Sequence, residues 1–173
     1  MKIKSGVEQA VSILVMLATQ NEEQPVKSDI ISSRLNVSPS YLKKVMRKLV
    51  VNRLITSVSG NQGGFSLARP VEEITMLDIL DAIEGTDPYL QVDGLIQSVF
   101  PETKLAVKGE ELFIDIFLEA QMSYRDKLGT VSLKAVLEQT IGTSDFRLVD
   151  WNKEMGKQDI FKLQQSANWG NKE

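Results

Sequence analysis

Between positions 38 and 48 the chain carries Ser38, Ser40, Tyr41, Lys43, Lys44, Arg47 and Lys48, hydroxyls and cations with no carboxylate among them. Hydroxyls donate to phosphate oxygens or base edges, and ammonium and guanidinium groups neutralise phosphates, so these residue types suit recognition of a polyanion. At 100° per residue, Leu42, Val45, Met46 and Leu49 fall on one side of a helix, with Ser40, Lys43, Lys44, Arg47 and Lys48 roughly opposite. The plainer use of such a basic side is as solvated surface. Ser28, followed by Asp29, is a second candidate: it can cap a short helix carrying Ile30 and Ile31 and help hold a phosphate at that helix's N-terminus.

Other chemistry is thinly provided for. The chain contains no cysteine and no histidine, which removes disulfides, thiol nucleophiles, imidazole bases, and thiolate or imidazole metal ligands. Asp87, Asp93 and Glu102 are carboxylates too sparse and unevenly spaced to suggest a metal site, and they read as solvated loop residues. No catalytic residue, metal or cofactor is expected, and an enzyme is the remotest function class.

Periodicity and caps define the elements that must position the basic set. Val7, Ala10, Val11, Leu14, Leu17 and Ala18 predict a first helix ending before the polar stretch 20–24. Residues 28–36 predict a short second helix and Val37 a tight turn. Ser38 then Pro39 marks the start of a third helix, because a hydroxyl caps a free N–H and proline at the first helical position has none to lose. Leu54, Ile55 and Val58 lead into Gly60-Asn61-Gln62-Gly63-Gly64, after which Phe65 and Leu67 alternate with polar residues, as in a β-hairpin with a glycine-rich tip. Thr75 and Asp78 are spaced as a capping box for a fourth helix through Met76, Ile79, Leu80 and Ile83, stopped by Gly85. Three helices followed by a hairpin match a winged helix-turn-helix. The expected class is mainly α with a small β-hairpin: a winged helix-turn-helix domain over residues 1–85 plus a long dimerisation helix.

Residues 86–103, with Pro88, Gly94 and Pro101, read as a linker or effector region with at most a short helix over 95–99. The longest predicted helix runs from about Lys104 to Leu128, and in Leu112-Phe113-Ile114-Asp115-Ile116-Phe117-Leu118 only Asp115 is polar. A helix apolar on all sides must be buried on all sides. A second copy of the chain is the economical cover, the alternative being the central core helix of a monomer. Leu112, Phe113, Ile116, Phe117, Ala120 and Tyr124 are the candidate dimer contacts. A further helix through Leu133, Val136, Leu137 and Ile141 is grouped with the long one as dimerisation helices 104–141. Residues 142–173 read as a polar C-terminal extension carrying Trp151 and Trp169.

The 173 residues are 42% hydrophobic, enough to bury a core. No apolar run approaches the roughly 18 residues of a membrane span, and the start lacks the features of a secretion signal, so a soluble, cytoplasmic protein without a membrane partner is expected. The net charge of -3 conceals a division: residues 1–69 hold ten Lys and Arg against four Asp and Glu, and residues 70–173 hold ten against nineteen. A basic binding module on an acidic body and chance clustering on solvated faces both fit that division.

The stretch Leu49-Val50-Val51-Asn52-Arg53-Leu54-Ile55-Thr56-Ser57-Val58-Ser59-Gly60-Asn61-Gln62-Gly63-Gly64-Phe65-Ser66-Leu67-Ala68-Arg69 resembles the wing signature of the Rrf2 family of bacterial regulators, the iron-sulfur, nitric-oxide and cysteine-metabolism group. The resemblance extends upstream through Val37-Ser38-Pro39-Ser40-Tyr41-Leu42 and downstream from Ile74 to Gly85, about half of the chain. It implies a dimeric repressor or activator that reads a palindromic operator in double-stranded DNA, with residues 38–48 in the major groove and the wing alongside.

Two departures stand out. The family's wing carries arginine just before the glycine matching Gly60, where this chain has Ser59, so a minor-groove arginine is missing. The amides of Asn61 and Gln62 can take its place or serve only as turn residues. Many members also hold a two-iron two-sulfur cluster on three cysteines, for which this chain has no ligands. The expected function is a cluster-free DNA-binding regulator, most simply a repressor, gated by a small-molecule effector or a regulatory protein. The alternative is a winged-helix adaptor that has lost specific DNA reading.

Overall fold

The computed structural model of the chain describes residues 3–20, 24–60, 63–101 and 103–153. Helices α1 (Ser5–Thr19), α2 (Ser28–Leu35) and α3 (Pro39–Val51) precede the antiparallel hairpin β1 (Ile55–Val58) and β2 (Gly64–Leu67). After a 3-10 turn at Val71–Glu73 come α4 (Met76–Glu84), α5 (Leu95–Val99), α6 (Lys104–Gly129) and α7 (Leu133–Ile141). The hairpin register pairs Ile55 with Leu67 and Val58 with Gly64.

Local chemistry accounts for most boundaries. Ser38 Oγ accepts from the Tyr41 N–H at 3.3 Å, with Pro39 opening α3 as expected. Asn36 ends α2 in the left-handed region at φ 51°, a conformation asparagine tolerates. The box at α4 is complete: Thr75 Oγ1 accepts from the Asp78 N–H at 3.1 Å, and Asp78 Oδ2 accepts from the Thr75 N–H at 2.8 Å. Burial pushes the Asp78 carboxyl upward, but the Thr75 hydrogen bonds and Arg69, 3.2 Å away, outweigh it and hold the group below its ordinary value. Asp78 therefore anchors both the start of α4 and the exit of the hairpin.

One core joins these elements. Ile13 and Leu14 of α1, Ile31 of α2, Leu42 and Leu49 of α3, Leu54 and Ile55 at the hairpin, and Ile79 of α4 are essentially inaccessible to solvent. Each such side chain contributes on the order of 1.5–3 kcal/mol.

Two groupings differ from the sequence reading. Helix α7, placed with the dimerisation helices, belongs to the winged-helix core: Leu133 and Leu137 are buried in the same cluster. The Leu133 N–H donates to Ile74 O at 2.7 Å, and the Met76 N–H to Val131 O at 2.9 Å. The compact module therefore continues past Gly85. The described part of the extension, residues 142–153, is no free polar tail, since Val149 is fully buried and Phe146 and Trp151 pack against the core. Trp169 and Glu102 lie outside the described residues.

Helix α6 stands apart. Ala106 and Glu110 are buried beneath α5, and Arg125 makes a bidentate pair with Asp81 of α4 at 2.7 and 2.8 Å. Its apolar middle faces outward, with Leu112, Ile116 and Phe117 about half exposed or more. No helix among the described residues is long and apolar enough to cross a membrane.

Candidate nucleic-acid interface

Burial of Leu42, Val45, Met46 and Leu49 against α1, α2 and α4 turns the opposite side of α3 to solvent. Ser38, Ser40, Lys43, Lys44 and Arg47 are exposed there, with the Ser38 and Ser40 hydroxyls 3.2 Å apart at the helix start. Among the described residues, no ion pair or side-chain hydrogen bond engages Lys43, Lys44 or Arg47. Nearby carboxylates are occupied elsewhere: Glu84 with Lys4 at 2.6 Å, Asp78 with Arg69 and Asp81 with Arg125. Three cations with no internal partner on one exposed helix face form a surface that attracts phosphate.

The rest of the predicted set is dispersed. Lys48 departs from the other cations: its ammonium turns back to donate to the Ile83 carbonyl, at the negative end of α4. The four-carbon stem gives lysine that reach, which helical spacing does not register. Tyr41 leans toward α1, its hydroxyl 4.0 Å from where a Cβ on Gly6 would stand. Ser28 does not cap α2. Lys27 is the N-cap, no side chain caps the helix, and Ser28 is its first residue; both are exposed. Sequence reading passed over Lys27, although a cation directly before a helix start was the available signal. Ser59 is exposed at the end of β1, just before Gly60 at φ 111°, while Asn61 and Gln62 lie outside the described residues.

The wing is fastened to the segment entering α2. The Val26 N–H donates to Phe65 O, and the Phe65 N–H to Val26 O, both at 2.9 Å. Gly64 permits this approach, because a Cβ there would stand 2.5 Å from Val26 O. Gly64→Ala is therefore expected to cost about 1–3 kcal/mol by overpacking against backbone and to loosen the wing. Chemical denaturation checks the first effect, and amide exchange at Phe65 checks the second.

The family model described as "Iron-dependent Transcriptional regulator", Rrf2, matches residues 3–139. The chain belongs to the Rrf2 family. Among its Rrf2 relatives, the "Putative HTH-type transcriptional regulator YffB" of Lactococcus lactis subsp. lactis (strain IL1403) is 36% identical over 157 residues, covering 90% of this chain and 99% of YffB. The "Putative HTH-type transcriptional regulator YwgB" of Bacillus subtilis (strain 168) is 50% identical over 100 residues, 58% of this chain and 64% of YwgB, so the match spans slightly under two thirds of that relative. The solved structure of CymR (YrzC), the global cysteine regulator of B. subtilis, superposes with a TM-score of 0.58 at 24% identity, covering 81% of this chain and 98% of CymR. At that identity the likeness establishes the Rrf2 winged-helix fold alone. These relatives are named as transcriptional regulators, not enzymes.

The family description implies iron, and the residues present do not fit it. The sequence supplies no thiolate and no imidazole, and among the described residues no three acidic side chains gather where an ion could be held.

Proposed function

We propose that this protein is a sequence-specific DNA-binding transcriptional regulator, a cytoplasmic repressor that binds a palindromic operator as a homodimer without an iron-sulfur cluster. The observation that carries this reading is the solvent face of α3, where Lys43, Lys44 and Arg47 have no partner within the described residues and Ser38 and Ser40 flank the helix start. The uncapped start of α2 at Lys27 and Ser28 and the wing fastened beside it supply further phosphate-binding positions. The homodimer is supported by α6, about 39 Å long, whose Leu112, Phe113, Ile116, Phe117 and Ala120 are exposed in a single chain, with Tyr124 at their edge. An apolar groove of about 430 Å³ between Tyr89 and Leu90 of the linker and Phe117, Gln121 and Tyr124 of α6 supports a small-molecule effector at the 86–103 region.

Ser59, standing where a wing arginine would read the minor groove, favours the second reading, an adaptor without specific DNA reading. Selection of bound duplexes from a random pool separates the two. A dimeric regulator enriches inverted half-sites about 10 bp apart or a multiple of it. Recovery of no enriched sequence would favour the adaptor.

A further inference from the structure

Residues 148–153 return to the winged-helix head by specific hydrogen bonds. The Leu148 and Val149 N–H groups donate to Thr19 O at 3.0 and 3.2 Å. Trp151 Nε1 donates to Thr19 Oγ1 at 3.1 Å, and the Trp151 N–H to Gln20 Oε1 at 2.8 Å. Gln20 Nε2 in turn donates to Asp150 Oδ1 at 3.1 Å, which also accepts the Asn152 N–H at 3.1 Å. Arg34, in the last turn of α2, lies 5.7 Å above the Trp151 ring.

This scaffold aims the Asn152 carboxamide at the strand-like segment 25–27. Its Nδ2 donates to Pro25 O at 3.1 Å, and its Oδ1 accepts the Lys27 N–H at 3.0 Å. One partner is only an acceptor and the other only a donor, so the amide orientation is dictated. On the opposite edge of the same segment, Val26 exchanges both backbone hydrogen bonds with Phe65 of the wing. Asn152 therefore occupies the free edge of segment 25–27, whose other edge is bridged to β2 through Val26 and whose last residue, Lys27, is the N-cap of α2.

We infer that residues 148–152 are a clasp belonging to the DNA-reading head, with Asn152 the positioning residue that holds the wing in register with the N-terminus of α2. This rests on the DNA-binding function proposed above. Among the described residues no hydrogen bond or ion pair joins the clasp to Lys43, Lys44 or Arg47, so its effect falls on the phosphate contacts of the wing and α2 and leaves the α3 contacts in place.

The test uses the full chain and a mixed-sequence duplex, titrated over a salt series at a temperature where every variant is folded. Asn152→Ala is expected to bind about tenfold more weakly, with a shallower salt dependence, by about 0.9 for each phosphate no longer neutralised. Asn152→Asp keeps the acceptor for Lys27 but not the donor for Pro25, and is expected to weaken binding likewise. Leu137→Ala, a core variant on α7 that removes no hydrogen bond of the clasp or the wing, is expected to retain the parent's affinity and slope under these conditions. Amide exchange at Lys27 and Phe65 should accelerate in Asn152→Ala beyond its loss of global stability, and in Leu137→Ala by no more than that loss. Parent-like affinity and slope in Asn152→Ala, or an equal weakening in Leu137→Ala, would overturn the clasp's role while leaving DNA binding intact. A parent protein that binds duplex without salt dependence would overturn the DNA-binding function and the clasp's part in it together.

Discussion

Replacing Lys43 and Arg47 together by alanine is expected to weaken operator binding roughly a hundredfold at moderate salt and to flatten its salt dependence. Both side chains are exposed on α3 with no partner among the described residues, so removing them breaks no ion pair there. In a two-fold dimer each substitution counts twice, and four neutralised phosphates correspond to a slope reduced by about 3.6. Stability should change by no more than about 0.5 kcal/mol, as is usual for surface substitutions away from caps and pairs. Fluorescence anisotropy across a salt series reads the slope, and thermal denaturation reads the stability. An unchanged slope would remove α3 from the interface. Lys48→Ala serves as the internal contrast. Its ammonium is committed to the Ile83 carbonyl, so its effect should appear in stability rather than in the salt slope.

The second large effect is expected from Ile116→Asp. Ile116 is 56% exposed in the single chain, one turn from Leu112 at 60% and next to Phe117 at 48%. Leu105, Gly109, Leu112 and Ile116 recur at alternating four- and three-residue spacing, the repeat of a helix-pairing seam. At a two-fold axis this substitution would bury two unpaired carboxylates, a cost of several kcal/mol that converts the dimer to monomers. Because Ile116 is exposed in the single chain, the monomer should remain folded. Operator affinity should fall by a factor on the order of a thousand or more, since a monomer holds only one half-site. Sedimentation equilibrium and a binding titration on the same samples check both statements. A parent protein that sediments as a monomer, or a variant that remains a dimer, would refute this use of α6.

The parts legible in the sequence depend on residues within one turn of each other. Ser38-Pro39, the Thr75 and Asp78 box, Gly85 and the 3.6-residue spacing of Leu42, Val45, Met46 and Leu49 each state a local preference, and the structure places those boundaries accordingly. The cationic side of α3 was legible for the same reason, because burying one side of a helix exposes the other. Ser28 misled because a serine before a helix can stand at the cap or one position later, and only the entry angle of Lys27, at φ -70° and ψ 145°, decides which.

What only the tertiary structure decided involves partners far apart in the chain. Asn152 meets Pro25 across 127 positions, and Trp151 meets Thr19 across 132. Such contacts are made by polar groups, one of them the Pro25 backbone carbonyl, that carry no periodic signal, so the segment reads as a tail until the fold brings its partners to it. Helix α7 was likewise recognisable as a helix, while its docking beside Ile74 rather than along α6 was not. The sequence alone thus determined a winged helix whose third helix has a basic side, and it removed the thiolate and imidazole ligands an iron centre needs, because these follow from local periodicity and residue type. The tertiary structure decided which α3 cations remain unpaired among the described residues, how the wing is fastened, and that residues 148–152 pack onto the winged-helix core, because those depend on which donors and acceptors are left over once the core has formed.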